Sequence, residues 1–246
     1  MKKINVKTLE KSIHTAEKSG FFENLYRIYR TIPQGKCSGC GRCCMESVNT
    51  YYVEFLNIYQ YFRENRRLYE TLFPKILRYY FLELVESQDC PFLSKETICS
   101  IYNYRPLNCR LFGHWTQEEY EENYKRVLAE NNQILKLYKN RYDLALPTHV
   151  VQQKIDFCED FEIGRRINRP QRQKMIDSIF TMESAFFMRG LLSEDAIGTG
   201  LITWFVHTVF EGDEAGDLRI QVMKEYLVEG SSETLEDILH KTKPVI

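Results

Sequence analysis

The 246-residue sequence predicts a mostly α fold, a helical domain with a central cysteine-rich loop region and one small β-hairpin. Three observations predict it. Apolar residues recur at helical spacing along most of the chain. Four of the eight cysteines fall together in Cys37-Ser38-Gly39-Cys40-Gly41-Arg42-Cys43-Cys44, just after Pro33-Gln34-Gly35. Only Cys90–Leu93 and Ile98–Tyr102 read as extended runs, joined by Ser94-Lys95-Glu96-Thr97.

In order, residues 5–31 read as helix broken at Gly20, with Leu25, Ile28, Tyr29 and Ile32 as an apolar stripe and Pro33 as its stop. After the cysteine loop, Asn49 or Thr50 caps a helix running to about Arg66, with Val53, Leu56, Tyr59, Tyr61 and Phe62 inside. A second helix covers about 68–87. The hairpin follows, and Arg105-Pro106-Leu107-Asn108-Cys109-Arg110 turns away from it. A long helix runs from Thr116 to Tyr142, with Glu118, Glu119, Glu121 and Glu122 complementing its dipole. Pro147 ends that segment, and a short piece carries Cys158. Pro170 opens a helix to about Leu191. Ser193 caps another at about 194–211, and two more cover 214–229 and 232–242. No repeat or linker appears, so residues 1–246 read as a single domain, with a cysteine module at about 33–113 and a helical portion at about 116–246.

Thirty-three basic and 34 acidic residues leave a net charge of −1, which argues against a dominant nucleic-acid or anionic-membrane surface. The basic start Met1-Lys2-Lys3 lacks the apolar run of a signal peptide, and no stretch approaches the ~18 apolar residues of a membrane span. A cytoplasmic location is therefore expected, where thiols stay reduced and clustered cysteines bind metal more often than they form disulfides. A chain of this length buries roughly 70–75% of its unfolded surface and needs no staples.

The first three cysteines are spaced C-x2-C-x2-C, the run that supplies three thiolates to one iron–sulfur cluster in bacterial-type ferredoxins. Glycines among them allow tight backbone turns and amides close to sulfur. Cys90, Cys99 and Cys109 add a C-x8-C-x9-C set around the hairpin. The loop region is thus read as metal-binding, with candidate ligands Cys37, Cys40, Cys43, Cys44, Cys90, Cys99, Cys109 and Cys158. Either four of the first seven hold one centre, or all eight divide four and four into two. Zinc is the alternative to a 4Fe–4S cluster, but zinc ribbons usually show two separated C-x2-C pairs. Cys43 and Cys44, being adjacent, are not expected both to serve one tetrahedral zinc. Cys158 reads either as a remote ligand or as an inert thiol.

These residues resemble a known family. Cys37, Cys40, Cys43 and Cys44, then Cys90-Pro91-Phe92-Leu93, Cys99-Ser100-Ile101-Tyr102, Arg105-Pro106 and Cys109-Arg110-Leu111-Phe112, are similar to the CxxCxxCC cysteine-cluster proteins. That zinc- or iron-chelating family includes the YkgJ-type proteins and the bacterial flagellin lysine N-methylases. The resemblance covers about residues 33–113 and implies a bound metal centre. Its methylase members imply a 4Fe–4S cluster and S-adenosylmethionine-dependent methyl transfer to a protein lysine. Gly113-His114-Trp115 departs from the pattern, where proline is expected soon after Phe112, and leaves His114 as a further ligand or a packed residue.

Around the thiols, Arg42, Arg105 and Arg110 either tune the centre and attract an anionic group or offset thiolate charge. Together with Tyr102 they are the candidate cofactor-binding residues. Tyr102 and Tyr104 are hydrogen-bond donors beside the centre or, as expected more often, packed rings. Arg165, Arg166, Arg169, Arg172 and Lys174 form a basic run that reads as a solvated face, with a phosphate or acidic-partner site as the alternative. His207, on an apolar helix, reads as a core histidine. No GxGxxG, Walker A, HExxH or GxSxG motif occurs. Three functions remain open: a methylase-like enzyme with a protein substrate, a non-catalytic metal-binding protein, and an electron carrier. An enzyme needs a cavity beside the centre able to take an adenosyl group, whereas a structural site is closed and has none.

Overall fold

The computed structural model describes every residue except Ser38, Arg42, Glu46, Ser47 and Asp160, and the side chain of Glu194. Among the described residues the chain is helical, with short turns and no strand. Asn5 accepts the Thr8 N–H at 2.9 Å and opens α1 (Val6–Lys18). Gly20, at φ +65°, supplies the left-handed turn into α2 (Phe21–Arg30), as the break in the apolar pattern predicts.

The next helix, α3 (Tyr52–Glu64), is the centre of the molecule, with both its polar and apolar faces covered along the first turns. Neither Asn49 nor Thr50 caps it. Its own Glu54 does so, taking the Tyr51 N–H at 3.1 Å. Beside it lie α4 (Arg66–Leu82), which ends five residues earlier than expected, and α9 (Leu201–Val206). An aromatic stack fills the space between them. Phe55 lies against Trp204 and Phe205, Phe62 stacks on Tyr69 at 5.0 Å, and Trp204 donates to the Thr50 carbonyl at 2.8 Å.

The expected hairpin does not form. Leu93 and Cys99 make a single antiparallel bridge, and Thr97 turns at φ +59° between them. Leu93 N–H bonds back to the Cys90 carbonyl and Tyr102 N–H to that of Cys99, so the chain curls away on both sides of the one pair. Pro91 has no N–H for a ladder, and a lone two-stranded ribbon is marginal in water. Past the turn, the short α5 (Leu107–Leu111) carries Cys109 and Arg110.

Thr116 caps the long α6 (Gln117–Tyr142), and Pro147 precedes the single turn α7 (Thr148–Val151). Asn168 caps α8 (Arg169–Met188), with Pro170 in its first turn. One helix over 194–211 was expected. Instead a short turn at Glu194–Ala196 leads through Gly198, at φ +76°, into α9. The last pair, α10 (Gly212–Glu229) and α11 (Glu233–Lys241), covers α4, with Ser232 capping α11. No helix among the described residues is long and apolar enough to cross a membrane.

Two single bridges tie the cysteine loop to the C-terminal half. Lys36 pairs with Glu162 where the loop begins, and Asn49 pairs with Gly200 where it ends. The second is reinforced by Thr50 N–H to the Thr199 carbonyl at 3.0 Å and Leu201 N–H to the Val48 carbonyl at 2.9 Å.

A buried carboxyl also joins α8 to α3. Glu183 accepts the Val53 N–H at 3.2 Å, and burial pushes its carboxyl up to about 8. The unfolded carboxyl titrates near 4.3. The folded chain therefore holds this proton more tightly, and stability is full below that value and falls as pH rises towards about 8. The urea midpoint should drop across this window by the equivalent of a few kcal/mol. In Glu183→Gln the slope over the same interval should be clearly reduced, with Glu54, whose proton affinity burial also raises, left to contribute, and an unchanged slope would assign the loss to other groups.

Candidate metal centre

Three of the cysteines share one local geometry. Cys37 accepts the N–H of Gly39 at 3.5 Å, two residues on. Cys90 and Cys99 likewise accept the amides of Phe92 and Ile101, again two residues on. An amide turned towards each sulfur stabilises negative charge there, the form in which sulfur binds metal. Cys44 is joined to the next segment directly, since its carbonyl takes the Cys90 N–H at 2.6 Å.

Cys43, Cys44, Cys90, Cys99 and Cys109 line one cavity of about 70 Å³, with Arg105 and Phe112 on its wall. That is several times the ~10–15 Å³ one water needs. All five thiols are half-buried, whereas Cys37 and Cys40 are exposed. Among the described residues no three His, Cys, Asp or Glu side chains are gathered at coordination spacing. The thiols are therefore neighbours around a shared space. A soft, all-sulfur donor set suits zinc or iron–sulfur and disfavours magnesium or calcium.

Proton affinities reflect this packing. The Cys44 thiol donates to Cys43, which brings Cys43 down to about 7 while Cys44 keeps its own proton. Burial pushes Cys90 up to about 12 and also raises Cys99 and Cys109. Arg105 opposes that rise at Cys99 and Cys109. Metal uptake here displaces protons.

Residues 36–131 match the CxxCxxCC family. Its description is "Putative zinc- or iron-chelating domain". No curated protein and no solved structure matches the chain. The match supports metal binding by this segment, and it begins at the residue where the first bridge fixes the loop.

The CxxCxxCC segment adjoins a second, larger cavity of about 490 Å³, within the size range of small-molecule sites. Cys43, Cys109, Arg105 and Phe112 line both spaces. The larger one is also lined by Cys37 and Cys158, so Cys158 does come back to the cysteine loop. Tyr26, Tyr29, Arg30, Tyr102, Arg110, His114 and Phe161 complete much of its surface.

Arg105 is the cation nearest the thiols in effect. Its Nε donates to the Tyr102 carbonyl at 3.1 Å and its guanidinium lies 3.6 Å over the Tyr102 ring. Tyr102 is exposed, contrary to the expectation of a packed ring, because its side chain covers Arg105 at the cavity mouth. Tyr104 is packed as expected, stacked on Tyr61 at 4.2 Å. Arg110 is already engaged with the carbonyls of Arg105 and Asn103 and lies over Tyr29 at 4.1 Å. Arg42 falls outside the described residues. His114 is buried, contacts the Pro33 carbonyl, and has a ring Nδ1 with no partner among the described residues. His207 is the core histidine expected. Within the basic run, Arg172 is not solvated: it is buried, paired with Glu119 and bonded to the Ile167 carbonyl.

Sequence reasoning missed Phe161 and Glu54. The Phe161 ring lies so close to Gly35 and Gly113 that a Cβ on either would overlap it. This explains Gly113 where the family pattern suggests proline: the ring that wedges the Cys158 segment onto the loop needs the space. Gly113→Ala should cost ~1–3 kcal/mol by overpacking. It should also speed the reaction of Cys158 with a thiol reagent. Gly216→Ala, whose Cβ meets nothing, is the control and should leave both unchanged or raise stability slightly. A Gly113→Ala protein as stable as the parent would show that the ring is not wedged.

Proposed function

We propose that the half-buried thiols hold a 4Fe–4S cluster and that the adjoining cavity holds S-adenosylmethionine for methyl transfer to a protein lysine. One observation carries the reading. The thiol cavity shares the wall formed by Cys43, Cys109, Arg105 and Phe112 with a ligand-sized space, where a purely structural site would be closed.

Cys43 and Cys109 would face both groups, with the remaining ligands drawn from Cys44, Cys90 and Cys99. The cluster would supply a Lewis-acidic, redox-active iron and the cofactor an activated methyl group. Arg105 suits a carboxylate, and Tyr102 holds its guanidinium in place. Tyr26, Tyr29, Phe112 and Phe161 provide ring surface for an adenosyl group. A substrate lysine would enter by the mouth beside exposed Tyr102.

The test is iron, zinc and acid-labile sulfide content with a visible spectrum on protein purified without oxygen, followed by titration with S-adenosylmethionine. About four irons and four sulfides per chain, with a spectral change on adding the cofactor, is the expected result. Zinc without sulfide would replace this reading with a structural or metal-handling centre. A cluster indifferent to the cofactor would leave an electron carrier.

A further inference from the structure

A third cavity, of about 430 Å³, lies between α2 and the start of α8 and touches the 490 Å³ cavity only at Pro33. Three separate segments bring cations to it: Arg27 from α2, Arg165 and Arg166 from the preceding loop, and Lys174 from α8. No described acidic residue lines it, although acids outnumber bases in the chain. Arg27, Arg165 and Lys174 form no ion pair among the described residues. Elsewhere the chain does satisfy exposed arginines this way, as in Arg66–Glu70 and Arg126–Glu130. Glu23 and Asp177 stand within one helical turn of Arg27 and Lys174 yet pair with neither. The floor is apolar, made by Ile28, Pro33, Ile167 and Met175.

Arg166 shows why the cleft persists. Its Nη1 donates to the carbonyls of Gly113 and Trp115, so the loop that presents Arg165 is tied to the body of the protein. Guanidinium groups converging over an apolar floor suit phosphate oxygens attached to a ring or chain. Free phosphate would leave the floor uncovered, and a neutral ring would leave three cations unpaired. We propose that this cleft binds a phosphate-bearing small molecule with an apolar body, of about nucleotide size. The proposal does not rest on the thiol centre.

Fluorescence anisotropy of a methylanthraniloyl-ADP probe on the full chain tests it. Saturable binding is expected, displaced by pyrophosphate but not by adenosine, and weakened as salt rises. Arg27→Glu combined with Lys174→Glu, both exposed positions, should weaken binding at least tenfold with unchanged melting temperature and metal content. Arg105→Ala, on the neighbouring cavity wall, should leave probe binding as it is. Binding that survives the double charge reversal, or that adenosine displaces as well as ADP does, overturns the proposal. So does displacement by hepta-glutamate but not by pyrophosphate, which would assign the face to an acidic protein segment.

Discussion

Replacing Glu54 with alanine is expected to lower the unfolding free energy by ~3–5 kcal/mol and the melting temperature by roughly 10 °C. The carboxyl is 1% exposed, so its partners have no water to turn to. Its Oε1 accepts the Tyr29 hydroxyl and the Leu107 N–H, both at 2.6 Å, and its Oε2 accepts the Tyr51 N–H. These donors belong to α2, to the first residue of α5 and to the entry of α3. Alanine leaves three buried donors unmatched and opens a cavity among them. Burial raises this carboxyl's proton affinity, and the Tyr29 hydroxyl, the two amides and Arg110 oppose the rise. Glu54→Gln keeps one acceptor oxygen but sets an amide N–H₂ against a donor, and about half the loss is expected. Because Leu107 opens the turn that carries Cys109, metal retention should fall in parallel. A Glu54→Ala protein that melts within 2–3 °C of the parent would refute this account.

Cys109→Ser is expected to leave less than a tenth of the bound metal while keeping the far-ultraviolet helical signal. Cys109 lines both cavities, and α5 holds it in register through Glu54. A serine hydroxyl is a hard, weakly acidic donor that cannot replace a thiolate on zinc or iron–sulfur. The aromatic core around α3 and α9 makes no use of this side chain, so the helices should survive. Full metal content in Cys109→Ser would remove Cys109 from the donor set. Cys158→Ser, altering a residue that lines only the larger cavity, should retain most of the metal.

The long helices were readable because their signals are local. Gly20, Thr116, Pro147 and Pro170 mark ends by their own backbone preferences, and apolar spacing fills the intervals. Three failures have one cause. The pairing of Leu93 with Cys99 looked like a hairpin, but hydrogen bonds back to Cys90 and Cys99 consumed the ladder. The helix expected over 194–211 was cut at Gly198 by a segment that instead pairs with residues 48–50. Glu54 was passed over, since nothing nearby announces that Tyr29 and Leu107 converge on it. At the site, the spacing of the cysteines was legible, but five of them line one cavity while Cys37 and Cys40 lie outside it, exposed. The return of Cys158 was only one of two readings, because it depends on Phe161 meeting two glycines far away in the chain.

The two bridges that pin residues 36 and 49 bear on how tightly this loop can hold a metal. A free segment of ~14 residues loses roughly 2 kcal/mol of chain entropy, beyond a constant, when its ends are brought together. Here residues 162 and 200 hold those ends through backbone pairing that uses no cysteine side chain. The closure cost is then met by the fold and not by the metal, and the saving appears as affinity. The converse holds by linkage: a loaded centre strengthens the junction between the two halves of the chain. A fragment stopping at residue 131 would carry the whole family match and still bind metal more weakly than the intact protein.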